Sequence, residues 1–482
     1  MTIRELQPQN VWGYFADICA IPHPSKHEAQ ILDFLKAFAV KHNLDLRQDA
    51  TGNLVISKPA SAGYESHPGV ILQAHVDMVP QKNSDIEFDF TVDSIVPVID
   101  GEWVTAQDTT LGADNGIGCA AMLAVLSDNT LKHPHIEALF TVDEETGLTG
   151  ANGIESDFLT GEILINLDSE DEGELYVGCA GAVNNSVDME FAMVDAPEGL
   201  VTMELNLKGL KGGHSGMEII LQRANANKLM TRFLRENACS LKLHLVEFDG
   251  GGLRNAIPRE ARVVVALMAE NVEALEARAA EFAAQITREF AAVEDAMTFG
   301  VEKIDTVAEK VVSKEDYRRI IRALSSTPNG IMRMSDNIEG LVETSTNMSR
   351  VEIKDGRLQV LFMTRCMVNY GKKELNAMIR GVWELAGATV TETGDYDGWA
   401  PNMSSVILAN MKELYNTLYG KVPEVKAIHA GLECGIIGAK YPKMDMISCG
   451  PTIRYPHSPD EKVKIDTVAK FYEFLSKALA TL

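Results

Sequence analysis

Short apolar segments alternate with amphipathic helical patterns through the first part of the chain, and the alternation returns near its end. The apolar segments have the continuous character of buried strands and lie at 53–57, 69–74, 137–142 and 163–167. A helix is predicted from Ser25, where Ser25 and Glu28 form a capping-box pattern ahead of apolar residues spaced three and four apart, and another at 114–126. Alternating strands and helices favour an α/β domain with a largely parallel sheet.

The middle of the chain has a different pattern. Strands at 201–207 and 261–268 flank helices at 224–236 and 272–290, and a similar series follows from 314 to 386. From 399 the short alternating pattern resumes. We therefore expect an α/β domain formed by residues 1–186 and 399–482, with an inserted α+β domain at 187–398 whose element order suggests a repeated unit.

Composition excludes several classes of function. The 482 residues carry a formal net charge of −25 without basic clusters, which argues against a nucleic-acid partner and favours cationic ligands such as metal ions. Seven scattered cysteines form no C-x-x-C pair, as expected of reduced buried thiols. No apolar run approaches the ~20 residues that cross a bilayer, and no signal-peptide pattern opens the chain, so we expect a cytoplasmic protein without a membrane partner.

Polar side chains follow several of the predicted strands. His75 and Asp77 are two residues apart at the end of one strand, so they face the same side at the sheet edge where α/β proteins bind ligands. Asp77 could orient a metal-bound His75, but a purely structural His-Asp pair explains this pattern too. Asp114 lies between glycines at the start of a predicted helix, where an N-cap is the simpler interpretation.

Glu144 and Glu145 follow directly on another strand. Adjacent side chains must diverge, so one could bind a metal while the other acts as a general base; an exposed acidic turn is the alternative. Asp168 ends a further strand, and His457 lies in a proline-bracketed loop before the last helix.

Considered together, these residues predict a binuclear metal site. Two histidines and three carboxylates without a thiolate suit two divalent ions bridged by one carboxylate, with zinc as first choice and manganese or cobalt as substitutes. The candidate ligands are His75, Asp114, Glu145, Asp168 and His457. Glu144 is then left to take a proton from the attacking water and deliver it to the leaving amine.

Several motifs strengthen this interpretation. They are Ala74-His-Val-Asp-Met-Val-Pro80, Thr110-Leu-Gly-Ala-Asp-Asn-Gly-Ile-Gly118, Glu144-Glu145-Thr-Gly147, Asn166-Leu-Asp168, Lys211-Gly-Gly-His-Ser-Gly216, Arg254-Asn-Ala-Ile-Pro-Arg259, His429-Ala-Gly-Leu-Glu-Cys-Gly435, and Gly450-Pro-Thr452 followed by Pro456-His-Ser-Pro-Asp460. In this combination, and from end to end, the chain resembles the di-zinc metallopeptidase family of aminoacylases, carnosinases and acetylornithine deacetylases, and within it the aminoacyl-histidine dipeptidases.

The resemblance implies how the ligands are shared. One zinc would be held by His75 and Asp168, the second by Glu145 and His457, with Asp114 bridging and the Asp114–Asn115 peptide cis. Asp77 would orient His75, and Glu144 would be the general base. The inserted domain would be a lid through which two subunits form a homodimer.

The resemblance also implies groups that contact substrate. His214 would hydrogen-bond the developing oxyanion, Asn255 and Arg365 would hold the terminal carboxylate of the substrate, and Gly431 would offer a backbone amide. The implied activity is zinc-dependent hydrolysis of unblocked dipeptides, including Xaa-His dipeptides such as β-alanyl-histidine. An amide deacylase acting on N-acyl amino acids is the alternative enzyme, and a non-catalytic metal-binding protein is the alternative class.

Overall fold

The computed structural model describes residues 2–482 and contains, within them, eleven α-helices and three short 3₁₀ helices. The 3₁₀ helices are Ile3–Glu5, Ile219–Leu221 and Ala269–Asn271. The α-helices are α1 (Gln9–Cys19), α2 (Ala29–His42), α3 (Ala113–Ser127), α4 (Thr149–Gly153), α5 (Ala226–Leu241), α6 (Val272–Glu289), α7 (Lys314–Ser326), α8 (Asn369–Leu385), α9 (Val406–Tyr419), α10 (Glu433–Lys440) and α11 (Ile465–Thr481).

The strands are numbered along the chain in the same way. They are β1 (Asp45–Gln48), β2 (Leu54–Lys58), β3 (Val70–His75), β4 (Pro97–Asp100), β5 (Trp103–Ala106), β6 (Ile136–Thr141), β7 (Ile163–Asn166), β8 (Glu174–Cys179), β9 (Gly181–Glu190), β10 (Met193–Asp195), β11 (Leu200–Lys208), β12 (His244–Gly251), β13 (Ala261–Met268), β14 (Thr298–Ile304), β15 (Lys310–Val312), β16 (Gly330–Met334), β17 (Val342–Lys354), β18 (Arg357–Cys366), β19 (Thr389–Tyr396), β20 (Glu424–Ile428), β21 (Asp445–Ser448), β22 (Ile453–Arg454) and β23 (Lys462–Lys464).

The chain divides into two compact units. The first unit comprises the chain up to Cys179 together with Trp399–Ala427 and Leu432–Leu482, and the second unit comprises Ala180–Gly398 and Ile428–Gly431. The second unit begins at Ala180 rather than at the expected residue 187, because β9 runs without a break through that position. The short segment Ile428–Gly431 is a second return to this unit that the sequence pattern does not indicate.

The first unit is built on an eight-stranded sheet in the order β1-β2-β6-β3-β7-β21-β8-β20. Its central strands β6, β3, β7 and β21 are parallel, whereas β1, β2 and β8 pair antiparallel at the flanks. The α/β fold class with a largely parallel centre is therefore confirmed. Because the strands β3 and β6 are buried at every position, apolar residues occupy both faces of each strand rather than alternate positions, with a few buried polar residues such as Gln73 and Glu137 among them.

Helix α3 forms the core of this unit beside the sheet, packed against α1 and β3. Its small and aliphatic residues are buried on every face of the helix, as expected of a helix surrounded by other elements. Gly118 has no room for a side chain, since a Cβ there would lie 2.9 Å from the carbonyl oxygen of Leu167. This close approach brings the start of α3 against the end of β7.

The predicted capping box at the start of α2 is wrong, although the helix itself is confirmed. Glu28 is the N-cap residue and receives no capping bond, and the side chain of Ser25 does not bond the first turn of the helix. The Ser25 hydroxyl instead donates to Asp77 Oδ2 at 2.8 Å. The hydroxyl group that the sequence pattern assigns to a helix cap therefore bonds the carboxylate that follows β3.

The second unit contains a nine-stranded sheet in the order β14-β11-β13-β12-β17-β18-β9-β19, with β16 paired to β17. The series β11-α5-β12-β13-α6-β14 forms one half, and β9-α7-β17-β18-α8-β19 forms the other with the same order mirrored. The halves meet where β12 pairs antiparallel with β17 over Phe248–Gly251 and Arg350–Ile353. This topology accounts for the repeated element order in the sequence.

Helices α5 to α8 cover this sheet and bury one continuous apolar core. At its centre Phe233, Phe282 and Phe299 pack with ring centroids 4.9–5.3 Å apart. Among residues 2–482 no helix has the length and apolar character needed to cross a bilayer.

Candidate active site

Asp114 lies at the centre of a cluster of histidines and carboxylates in the first unit. Its Oδ1 is 3.1 Å from His75 Nε2, and its Oδ2 is 3.3 Å from His457 Nε2. On the His75 side, Nε2 is 3.3 Å from Asp168 Oδ1; on the other side, His457 Nε2 is 3.0 Å from Glu145 Oε2. All five predicted metal ligands are thus brought together, with one oxygen of Asp114 directed to each histidine.

Strand ends position most of these residues. His75 is the last residue of β3, Asp168 follows β7 by two residues, and Glu145 follows β6. Because β3, β6 and β7 are neighbours and parallel, their carboxyl ends meet at one edge of the sheet. His457 comes from the loop between β22 and β23 and has a left-handed backbone conformation with φ of 60°.

Asp77 links the end of β3 to the Glu144–Glu145 turn. The Nδ1 atom of His75 lies 3.0 Å from the backbone oxygen of Asp77 and 3.5 Å from its Oδ1. The Asp77 carboxylate also accepts hydrogen bonds from the backbone N–H groups of Glu144 at 3.0 Å and Glu145 at 3.3 Å. Asp77 therefore fixes the orientation of His75 and the direction of the neighbouring turn together.

Asp114 lies in the first turn of α3 and does not cap this helix, so the simpler interpretation of this segment is wrong. The N-cap residue is Gly112, and Asp114 and Asn115 have non-helical backbone angles within the first turn. The Asp114–Asn115 peptide is cis. The side chain of Asn115 donates to Asp168 Oδ1, so this turn contacts a second residue of the cluster.

The electrostatics of the cluster favour bound positive charge. Hydrogen bonds to Asp114 and Glu145 raise the pKa of His457 to about 11. Burial opposes protonation of His75, yet the nearby carboxylates, led by Asp168, raise its pKa well above the ordinary value. Burial likewise raises the pKa of Asp168 to about 6, with His75 opposing the shift. The carboxylates around both histidines therefore favour positive charge at this place, which a metal ion can supply as well as a proton.

A divalent cation fits this donor set. One atom each from His75, Asp114 and Glu145 lie within 4.8 Å of one another, and Glu145 Oε1 is buried without a hydrogen-bond partner. A buried carboxylate oxygen without a partner is costly unless an ion or donor meets it. Imidazole and carboxylate donors without thiolate suit zinc, manganese or cobalt.

Glu144 is adjacent to this cluster and makes none of its ion-pair contacts. Burial raises the pKa of its carboxyl group well above the ordinary value; the charge of His75 opposes this rise, and Asp168 and Glu145 add to it. A carboxyl group with a raised pKa is a stronger base than an ordinary carboxylate and is better suited to accept a proton from water. Glu144 is thus available for acid–base chemistry.

The second unit contains its own polar cluster around His214. The Nδ1 atom of His214 accepts backbone N–H bonds from Met217 at 3.0 Å and Gly216 at 3.3 Å. In a neutral imidazole the other nitrogen must then carry the proton. Burial first, and the charge of Arg365 second, lower the pKa of His214 to about 4, so the ring is neutral at pH 7 with Nε2–H as a donor.

The guanidinium group of Arg365 places its own N–H donors opposite the Nε2–H group of His214. Its Nη2 lies 3.4 Å from His214 Nε2, the side chain is 4% exposed, and its Nε is buried without a hydrogen-bond partner. Two N–H donors directed at each other leave a place for an acceptor. The cluster is therefore suited to an anionic or developing anionic group.

The remaining predicted contacts to substrate lie in the same unit. The backbone oxygen of Asn255 accepts from Ser215 N–H at 2.7 Å, while the Asn255 side chain is exposed. Gly431 approaches Tyr396, whose hydroxyl oxygen would be 2.7 Å from a Cβ at this position. Gly216 is required as well, since a Cβ there would lie 2.2 Å from the His429 oxygen and 3.0 Å from Arg365 Nε.

Replacing Arg365 by methionine is expected to raise the pKa of His214 from about 4 toward 6.5. A positive charge beside an imidazole disfavours protonation, so its removal must move the pKa upward. His429, whose pKa burial and then Arg365 lower to about 3, is expected to shift in the same direction. Histidine-selective NMR titration measures both shifts, and His133 of the first unit is the internal control because Arg365 does not contribute to its pKa. An unchanged His214 titration would show that burial alone determines its pKa.

Several residues of these clusters are not predicted from the sequence. In the second unit they are Ser345 and His429, whose Oγ and Nε2 atoms are 2.8 Å apart. In the first unit they are Glu433, which accepts from Thr141 Oγ1 at 2.7 Å, and Glu461. Three of the four lie in or beside recognised motifs, but nothing in the spacing of those motifs assigns them a contact.

The fold and this cluster together define a class of protein. An aspartate with one oxygen directed at each of two histidines, at the carboxyl edge of a parallel sheet and beside a further glutamate, is an arrangement suited to a metal-dependent hydrolase.

The chain belongs to peptidase family M20/M25/M40, whose family model matches residues 71–481. It is 44% identical over 477 residues to the cytosol non-specific dipeptidase of Escherichia coli (strain K12), covering 99% of this chain and 98% of that protein. The crystal structure of aminoacylhistidine dipeptidase from Vibrio alginolyticus aligns with a TM-score of 0.94 and 48% identity, covering 100% of this chain and 98% of that one. A tripeptidase from Staphylococcus aureus, at 15% identity, a TM-score of 0.57 and coverage of 99% and 98%, shares the fold.

Proposed function

We propose that this protein is a metal-dependent dipeptidase that hydrolyses the peptide bond of unblocked dipeptides, including Xaa-His dipeptides such as β-alanyl-histidine. The observation that carries the proposal is the cluster around Asp114 with Glu144 beside it. The relatives named as dipeptidases, at 44% and 48% identity over nearly the whole chain, support the substrate class.

His75 and Asp168 would hold one metal ion, Glu145 and His457 the other, and Asp114 would bridge them. The short contacts His75–Asp168 and His457–Glu145 support this division. Zinc is the proposed metal, with manganese or cobalt as substitutes, because no thiolate contributes. Such ions supply Lewis acidity, which polarises the scissile carbonyl group and makes water a stronger acid.

Glu144 is the proposed general base. It takes a proton from the attacking water and passes it to the amine nitrogen as the C–N bond breaks, so the carboxyl group ends in its starting state. Asp77 keeps the backbone of Glu144 in place through the N–H bond described above. The raised pKa of Glu144 supports the first half of this transfer, in which the carboxylate accepts the proton of water.

Groups of the second unit are proposed to bind the substrate. His214 Nε2–H stabilises the oxyanion, while Arg365, assisted by Asn255 and the Gly431 backbone amide, holds the terminal carboxylate. His214 and Arg365 lie 3.4 Å apart within the second unit, so the two groups are proposed to act together on one substrate. A homodimer through the second unit stays a prediction, as does a cytoplasmic location, which the name of the Escherichia coli relative supports.

The metal-loaded protein is expected to release histidine from β-alanyl-histidine and amino acids from α-dipeptides, and to leave N-acetyl amino acids intact. The relatives named as dipeptidases support this preference, since an N-acetyl amino acid offers the same carboxylate and leaving amine and lacks only the free amino terminus. Amino acid analysis with and without a chelator measures this. Activity that resists complete metal removal, or hydrolysis confined to N-acetyl substrates, would contradict the dipeptidase assignment.

A further inference from the structure

The carboxylate of Glu461 accepts hydrogen bonds from four consecutive backbone N–H groups. Oε2 accepts from Leu111 at 2.7 Å and Gly112 at 2.9 Å, and Oε1 accepts from Ala113 at 2.8 Å and Asp114 at 3.2 Å. Glu461 is 1% exposed. Both of its oxygens are thus fully used by the segment that carries the bridging aspartate.

This segment has no cap of its own. The first N–H groups of a helix have no partner within the helix and are normally bonded by the side chain of the N-cap residue. The N-cap here is Gly112, which has no side chain, and the Asp114 carboxylate is directed at His75 and His457 instead. Glu461, from a distant part of the chain, therefore provides the carboxylate that bonds these N–H groups in place of Asp114.

Glu461 is itself held firmly, and it belongs to the loop of another ligand. It lies four residues after His457, and its N–H bonds the Ser458 oxygen at 3.0 Å, closing the turn between them. Its backbone oxygen accepts from Thr105 Oγ1 at 2.8 Å, and β23, which begins at the next residue, pairs with β5. One side chain thus joins the His457 loop to the Asp114 turn.

We propose that Glu461 is a positioning residue for the metal centre: by holding the Leu111–Asp114 backbone against the His457 loop, it fixes the separation of two ligands before metal binds. The inference rests on the proposed metal site. Ligands held at a fixed separation bind metal more tightly, and residues that orient ligands commonly contribute 10–100-fold to affinity. A helix cap without this function would contribute to folding alone.

The chain offers a matched control in Glu137. This glutamate is also 1% exposed, and its Oε2 accepts the backbone N–H groups of Thr160 at 2.8 Å and Gly161 at 2.9 Å. Its other oxygen pairs with Arg47 rather than with any residue of the Asp114 cluster. Glu137 and Glu461 are therefore equally buried and both bond backbone N–H groups. The backbone that Glu461 bonds carries a proposed metal ligand, whereas the backbone that Glu137 bonds carries none.

The test compares Glu461→Gln with Glu137→Gln in the full chain. A glutamine keeps the shape but turns an N–H group toward backbone donors, so both variants are expected to unfold at lower temperature. Zinc affinity, measured without substrate by competition with a chromophoric chelator, is expected to fall about 10–100-fold in Glu461→Gln and to stay parental in Glu137→Gln. Raised zinc should restore much of the lost kcat of Glu461→Gln while KM changes little.

The second variant Glu461→Asp keeps the charge and shortens the side chain, and its zinc affinity is expected to lie between those of the parent and Glu461→Gln. Parental affinity in a folded Glu461→Gln or Glu461→Asp protein would overturn the inference, as would an equal loss in Glu137→Gln. A parent protein that binds no zinc would instead overturn the proposed metal site, so the two failures are distinguishable.

Discussion

Replacing Glu144 by glutamine is expected to lower kcat for dipeptide hydrolysis by about 10²–10⁴-fold, the usual contribution of a general acid–base group. Glutamine preserves the size of the side chain but cannot accept the proton of the attacking water. Metal content is expected to remain parental, since Glu144 makes no ion-pair contact with the five proposed ligands. Steady-state kinetics and elemental analysis of the dialysed variant measure the two effects.

The neighbouring substitution Glu145→Gln is the matched control, because it makes the same chemical change one residue away. Glu145 Oε2 lies 3.0 Å from His457, and its Oε1 is the buried oxygen without a partner. This variant is expected to lose metal as well as activity. Loss of metal from Glu144→Gln with retention by Glu145→Gln would exchange the roles of base and ligand.

The unfolding temperature provides a check that Glu144→Gln is folded. Burial raises the pKa of Glu144 in the folded protein above its unfolded value, so the folded state binds this proton more tightly. The associated stability is present at low pH and is lost as the pH rises through the folded-state pKa. Since glutamine carries no charge for burial to penalise, the variant is expected to unfold at the parental temperature or above.

Hydrophobic pattern predicts the central elements of the first unit, but helix α1 and the strands β1, β4, β5 and β8 are not predicted from it. The strands β3, β6 and β7 are mostly apolar and buried, and such runs between helices favour a parallel sheet. The similarly buried strand β2 nevertheless pairs antiparallel with β6. For the second unit, the sequence predicts only that a series of strands and helices is repeated, and it does not predict the order of the strands in the sheet. Its decisive contact, the pairing of β12 with β17, joins residues about a hundred positions apart and leaves no local signal.

Side chains at strand ends are predictable for the same reason. Once the three strands are predicted and taken as parallel neighbours, the residues that follow them must meet at one edge of the sheet. These residues are His75, Glu145 and Asp168. The histidine at 457 follows no long strand, and only its chemical type and the resemblance bring it into the ligand set. The structure then places it 3.0 Å from Glu145.

Local sequence rules fail where a distant residue supplies the partner. Asp114 and Ser25 both have the sequence context of helix caps, yet Asp114 faces two histidines and Ser25 donates to Asp77. The amides that Asp114 leaves unbonded are bonded by Glu461, about 350 positions away. No rule based on residue spacing connects positions so far apart in sequence, so such a replacement of one capping residue by another is seen only in the folded structure.

Replacing Asp114 by alanine is expected to have the largest effect on metal binding. Asp114 is the only residue of the cluster with one oxygen directed at each histidine, at 3.1 and 3.3 Å, so its loss removes a ligand from both proposed sites together. The variant is expected to retain little metal after dialysis. Hydrolysis is expected to fall at least about 10³-fold, because metal stabilisation of the transition state is worth several kcal/mol.

Two comparisons make this result specific to Asp114. Chelated parent protein is expected to regain activity when zinc is returned, whereas Asp114→Ala is expected to stay inactive at the same zinc concentration. The control Asp445→Ala removes an aspartate that bonds Ser405 Oγ at 2.7 Å and the amides of Val406 and Ile407 at 2.9 and 3.0 Å, outside the cluster. That variant is expected to unfold at lower temperature yet keep its metal, because it loses a helix cap and no ligand. Full metal occupancy in Asp114→Ala would contradict the bridging role, since a bridging carboxylate contributes to both sites and its loss cannot leave both of them filled.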